Sequence, residues 1–212
     1  MINSVFLNRF GNTWGLDYIQ TLNGGKSFMN YGVDARRMTE DQIRGRYNIK
    51  QSFTLTLGLK QGKRTFSSQF LENRSYLISY RVAEPGFTVL FFKNQLRLQS
   101  FYRFDVRQNK EIYGGEKSTA HNINVDLKYN TPGSGSISLK TTYAAIQFSG
   151  TSNSTVGYTM LDGLLPGKNW LWQAGFERRI SRNVEMSLEY EGRKPANNPV
   201  IHTGRASVRA IF

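Results

Sequence analysis

Alternation is the feature that most limits what this chain can fold into. Tyr47, Ile49, Gln51, Phe53, Leu55, Leu57 and Leu59 alternate with Asn48, Lys50, Ser52, Thr54, Thr56, Gly58 and Lys60. Leu96, Leu98, Ser100, Tyr102, Phe104 and Val106 alternate with Gln95, Arg97, Gln99, Phe101, Arg103 and Asp105. The pattern returns at Ile123, Val125, Leu127 and Tyr129, again at Val184, Met186, Leu188 and Tyr190, and last at Ala206, Val208, Ala210 and Phe212. Successive side chains of a strand point to opposite faces, so a period of two predicts strands with one apolar and one polar face.

Turn residues separate these runs. They fall at Asn23-Gly24-Gly25, Gln61-Gly62-Lys63, Glu84-Pro85-Gly86, Lys93-Asn94, Gly114-Gly115, Asn130 to Gly135 and Ser181-Arg182-Asn183. Longer polar joins are expected at about 108–118, 150–169 and 192–199. The spacing predicts about ten to twelve antiparallel strands in a single domain over 1–212, with no helix. Met38 to Ile43 reads as the cap of a strand connection.

Several classes of chemistry are excluded or disfavoured. No run reaches the ~18 to 20 apolar residues of a membrane helix. The chain has no Cys, which removes disulfides, thiolate metal sites and Cys nucleophiles. Its two histidines, His121 and His202, read as interfacial or loop residues, because no nucleophile motif accompanies them. Glu185, Glu189 and Glu191 share one strand face, where ion pairs with Arg205 and Arg209 explain them better than acid–base catalysis does. Gly114-Gly115 and Asn23-Gly24-Gly25 precede no helix, so they are not phosphate loops. No enzyme activity and no cofactor are expected. The net charge is +13. That charge is dispersed, and most aromatics lie on the face opposite to it, so nucleic acid is not the expected partner.

The remaining question is which face meets what. The polar face carries bulky charge in nearly every strand, with Arg97, Arg103, Asp126, Lys128, Glu185, Glu189, Arg205 and Arg209 as candidate lumen residues. The apolar face is rich in amphipathic rings, with Trp14, Tyr47, Tyr102, Tyr129, Trp170, Trp172 and Tyr190 as candidate members of an interfacial girdle. A strand spans hydrocarbon in ~9 to 11 tilted residues, and only a closed barrel satisfies its backbone there. The expected fold is therefore an all-β, antiparallel, up-and-down transmembrane barrel, or the C-terminal part of a larger one. Its expected function is a pore or scaffold with a polar, net-basic lumen. The alternative is a soluble β-barrel or sandwich that binds a ligand or polyanion. Met1 to Phe10 has neither a charged start nor a sustained apolar stretch, so no secretory signal is read there and the chain is expected to be cytoplasmic, mature or partial.

The stretches Gly163 to Trp172, Tyr190-Glu191-Gly192-Arg193-Lys194 and Ile201 to Phe212 resemble the C-terminal barrel end of large Bacteroidetes-type outer-membrane proteins. Asp17-Tyr18-Ile19-Gln20 and Tyr31 to Arg36 are similar in style. The resemblance implies a barrel in the bacterial outer membrane and no settled activity. Expected partners are outer-membrane lipid and lipopolysaccharide, the barrel-assembly machinery, and other outer-membrane subunits or an upstream part of the same protein. Phe212 resembles the terminal aromatic that the assembly machinery reads.

Overall fold

The computed structural model describes residues 2–8, 13–30, 32–71, 74–131 and 133–210, with side chains from residue 13 onward. Tyr31 and Phe212, both invoked above, lie outside the described residues. The strands are β1 (Ile2–Asn8), β2 (Trp14–Met29), β3 (Gly32–Lys50), β4 (Phe53–Ser68), β5 (Tyr76–Phe91), β6 (Leu96–Asn109), β7 (Lys117–Thr131), β8 (Gly135–Ser149), β9 (Gly167–Ser181), β10 (Val184–Lys194) and β11 (Ile201–Ala210). They form one eleven-stranded sheet in sequence order, and every neighbouring pair is antiparallel. The chain is an all-β, up-and-down meander, within the strand number expected. Among the described residues no pairing joins β1 to β11.

The connections differ at the two ends. At one end the chain reverses in short turns at 51–52, 92–95, 133–134 and 182–183. The Lys93-Asn94 turn is tight, with Phe92, Lys93 and Asn94 all at positive φ. At the other end β3 begins at Gly32 directly after β2 ends at Met29, but the joins at 69–75, 110–116, 150–166 and 195–200 are longer.

Three expected turns are instead strand interior. Asn23-Gly24-Gly25 lies within β2, Gln61-Gly62-Lys63 within β4 and Glu84-Pro85-Gly86 within β5. Cross-strand packing explains two of them. A Cβ on Gly62 would sit 2.5 Å from both the Tyr80 hydroxyl and the Thr39 carbonyl oxygen, so the glycine makes room for the Tyr80 ring. A Cβ on Gly86 would lie 2.8 Å from Phe101 Cβ. Pro85 has no N–H, and the β5–β6 ladder lapses beside it, resuming at Gly86. Met38 to Ile43 is likewise not a cap but the middle of the nineteen-residue β3.

The expectation of no helix is also corrected. Thr155–Met160 forms a short helix, α1, within the join between β8 and β9. Ser154 caps it, its Oγ accepting from the Gly157 N–H at 2.9 Å. Gly157 is required there, because a Cβ would lie 2.5 Å from the Thr151 carbonyl oxygen.

Register sorts every strand into two faces. The face that carries α1, termed inner, holds the larger apolar packing. Ile78 packs with Val156 and Met160, and Ala144 and Ile146 pack with Leu161. The opposite, outer face has a broad apolar band that none of the described residues covers. Paired across it are Leu16, Gly45, Leu57 and Pro85 on one side of the β5–β6 lapse, and Tyr102, Ile123, Tyr143 and Trp170 on the other. Leu55, Leu57 and Leu59 remain 42, 48 and 46 % exposed.

Candidate functional site: the charged inner face

Antiparallel partners point to the same side of a sheet, so the register fixes which charges share the inner face. Arg97 stands opposite Lys128, Asp126 opposite Lys140, Glu185 opposite Arg209, and Glu189 opposite Arg205. Arg103 stands opposite Asn122, on the same side as Ala144. All the candidate lumen residues therefore occur on the face that carries α1.

They do not form one cluster. In β9 to β11 two pairs are matched locally. Arg205 approaches Glu189 at 3.8 Å, and Arg179 donates to Glu185 at 2.9 Å. Glu185 thus finds its hydrogen bonds on Arg179 of β9 although its register partner in β11 is Arg209.

The inner faces of β4 to β6 carry a relay of opposite charges. Glu84 lies between Lys60, at 3.6 Å, and Arg103, at 3.5 Å. Arg103 continues to Asp105 at 3.1 Å, and Asp105 pairs with Arg107 at 2.6 Å. Asp105 is 2 % exposed and Arg107 is 7 %. Charges buried to that degree persist only when paired and hydrogen-bonded. Arg107 meets that condition by reaching outside its strand. Its Nη1 donates to the Thr159 carbonyl oxygen at 3.0 Å and to Asp162 Oδ1 at 2.8 Å.

Asp162 therefore ties the join between β8 and β9 to the inner wall. Burial works against ionisation of its carboxyl, but the hydrogen bonds and charge of Arg107, helped by Arg103 and Arg64, hold it below the ordinary value. Asn169, 1 % exposed, secures the far side of the join by donating to the Leu165 carbonyl oxygen at 2.7 Å. Neither Arg107 nor Asp162 was singled out from the sequence. The signal available was Ser154, a capping residue, ahead of apolar Val156, Met160 and Leu161 at helical spacing.

Beside this relay, Tyr80 lies over Gly62 and donates to Glu40 at 2.7 Å. A cavity of about 200 Å³ between Glu40, Arg64, Tyr80, Arg103, Arg107 and Thr159 separates the wall from α1.

Arg97 and Lys128 are different. They are like charges directly opposite one another, an arrangement that costs stability. Among the described residues neither has a carboxylate within ion-pair distance. Their cationic pair stands toward the short-turn end, away from α1.

The candidate girdle residues Trp14, Tyr47, Tyr102, Tyr129, Trp170, Trp172 and Tyr190 occur on the outer face. Trp14 and Tyr47 are cross-strand partners. Trp170 donates its indole N–H to Thr141 Oγ1 at 2.8 Å and meets Trp172 edge-on at 5.9 Å between ring centroids. Both histidines are outward and attached to these rings. His121 shares a hydrogen bond with Tyr102, and His202 stacks on Tyr190 and shares a 2.8 Å hydrogen bond with it.

No protein-family model and no curated protein sequence matches this chain. Among solved structures it is similar to the NanC porin in a rhombohedral crystal form, at 13 % identity and a TM-score of 0.40, over 100 % of this chain and 98 % of that one.

Proposed function

We propose that the chain is a β-barrel of the bacterial outer membrane whose charged inner face lines a polar, net-basic lumen, acting as an anion-favouring pore or as a scaffold of an outer-membrane complex. The observation that carries this reading is the pairing of faces. Strand after strand exposes large apolar side chains outward and turns its charged side chains inward. Soluble proteins rarely leave an apolar area of that extent uncovered. Lipid covers it in an outer-membrane barrel, where apolar-out and polar-in alternation is the rule. Short turns at one end and four of the longer joins at the other fit the periplasmic and extracellular sides of such a barrel.

The anion preference rests on Arg97 and Lys128, a cationic pair with no carboxylate within ion-pair distance among the described residues. No residue set for covalent or acid–base chemistry is invoked.

The test has two parts. Folded protein in detergent should migrate differently on gels before and after boiling, and should insert into planar bilayers. Reversal potentials in a salt gradient should then show anion preference. A chain that folds and stays soluble without detergent overturns the membrane reading. Cation preference overturns the anion pore. Insertion without conductance leaves the scaffold role.

A further inference from the structure

The outer face changes character on the long-join side of the apolar band. One hydrogen-bonded row there reads Tyr18, Ile43, Leu59, Ala83, Phe104. The next row out reads Gln20, Asp41, Gln61, Arg81, Val106, Thr119, polar but for Val106. Beyond it lie Thr39, Lys63, Ser79 and Gln108. Each row is ~6.5 to 7 Å from the last along the strands. The apolar band therefore gives way within about one strand repeat to a hydrogen-bonding surface.

That surface is cationic. Arg37, Lys63, Arg81, Lys117, Lys168 and Lys194 all point outward by register, and all are exposed. None of them takes part in an ion pair among the described residues. Asp41 shares the same outer face, and its Oδ1 already accepts from the Tyr18 hydroxyl at 2.9 Å and from Gln20 Nε2 at 3.2 Å.

The surface is also concave at one place. Lys63 and Arg81 line a depression of about 740 Å³ with Thr39, Asp41, Gln61, Ser79, Val106 and Gln108. Lys63 is paired with Ser79 and Gln61 with Arg81, so the two cations are diagonal neighbours. Their Cα atoms are then ~7 to 8 Å apart, a span that two long side chains can close around one phosphate. Amide and hydroxyl groups around them suit the hydroxyls of a sugar, and the Leu59–Ala83–Phe104 row below suits acyl chains.

Resting on the membrane reading above, we propose that this depression is a headgroup site for a phosphorylated glycolipid of the outer leaflet, with Lys63 and Arg81 holding its phosphate. A phosphate oxygen takes charge-assisted hydrogen bonds from both, and the cations meet an anionic membrane surface at the depth where its phosphates lie. The partner is committed as membrane lipid because the site opens directly onto the apolar band.

The experiment uses the full chain folded in detergent, with folding of every sample checked by heat-modifiable gel mobility. Bis-phosphorylated lipid A, its dephosphorylated form and inorganic phosphate are each titrated, and bound lipid is counted by native mass spectrometry. The expected result is at least tenfold tighter binding of the phosphorylated than of the dephosphorylated lipid, with no competition by millimolar inorganic phosphate. K63Q/R81Q should lose that tenfold preference. R178Q/R182Q, which removes equal charge toward the short-turn end, should keep it.

Equal binding of both lipids by the unaltered chain overturns the proposal without any variant. So does a K63Q/R81Q protein that folds and retains the preference. Competition by inorganic phosphate at millimolar concentration overturns the lipid assignment in favour of a free-anion site. Failure of the unaltered chain to enter detergent micelles or bilayers defeats the membrane reading itself, which separates that failure from the failure of this site.

Discussion

Arg107 on β6 and Asp162 in the join after α1, fifty-five positions apart, are joined by hydrogen bonds of 2.8 and 2.5 Å from the two Nη atoms to the two carboxylate oxygens. This fork-on-fork contact fixes the join against the wall by geometry as well as charge. The same guanidinium also holds Asp105 from within its own strand. One buried cation thus stabilises a strand carboxylate and positions a loop.

Releasing this contact should loosen the join without unfolding the sheet. In Asp162→Asn, Arg107 keeps Asp105, so the cost is local, about 1.5 kcal/mol, at the low end for a hydrogen bond to a charged group because Asp162 is half-exposed. Hydrogen exchange should accelerate in 155–165 and stay unchanged in β7 and β8. Acid should have the same effect. The Asp162 carboxyl is held below the ordinary 3.8, so the folded state binds fewer protons than the open one. Its contribution is complete above that ordinary value and is lost as pH falls through the lowered one. Taken relative to the intrinsic exchange rate at each pH, protection of 155–165 should be constant between pH 3 and 7 in Asp162→Asn and should fall toward pH 3 in the unaltered chain.

Gly62 should resist substitution although it lies in the middle of a strand. Gly62→Ala places a methyl group against the Tyr80 ring and the Thr39 carbonyl, which must shift and weaken the Tyr80–Glu40 hydrogen bond. Overpacking of this kind costs ~1 to 3 kcal/mol. Gly25→Ala, where a Cβ would meet nothing within 4 Å, is the matched comparison and should change stability far less. Urea titration of the folded protein in lipid vesicles measures both.

The two faces should respond oppositely to charge. Leu98→Arg puts a cation on the outer wall, and near the bilayer midplane that costs ~2 to 4 kcal/mol. Thr56→Glu, on the inner wall opposite Arg46 and Gly86, should cost little, because the new charge faces a cation. Single cysteines at Leu57, Leu127, Leu188 and Val208 should react with a lipid-phase label, while those at Thr54, Asp126, Glu189 and Arg209 should react with a water-soluble one. The reverse assignment would turn the wall inside out.

Charge reversal should expose the role of the unmatched cationic pair. Replacing both Arg97 and Lys128 with Glu should turn an anion-preferring reversal potential into a cation-preferring one. Replacing Glu189 and Arg205 together, a pair that is already matched at 3.8 Å, should leave the sign of the potential unchanged.

The sequence alone determined that the chain is built of antiparallel strands with one apolar and one polar face. Alternation is a local property, because the extended backbone sends each side chain to the side opposite its neighbour's, whatever the rest of the chain does. The facing of Arg97, Lys128, Arg205 and Arg209, and the opposite facing of Trp14, Tyr47 and Trp170, could therefore be read directly. The tertiary structure decided what local pattern does not encode. Gly62 and Gly86 carry the same turn signal as Gly114 and Gly115, and only Tyr80 and Phe101 on neighbouring strands show that the first two are strand positions that make room for rings. The fold of 150–166 onto the inner wall depends on Ile78, Arg107 and Ile146 meeting Met160, Asp162 and Leu161 across long separations in sequence. Register brings those residues together, and register is set by pairing between strands, which no single segment contains.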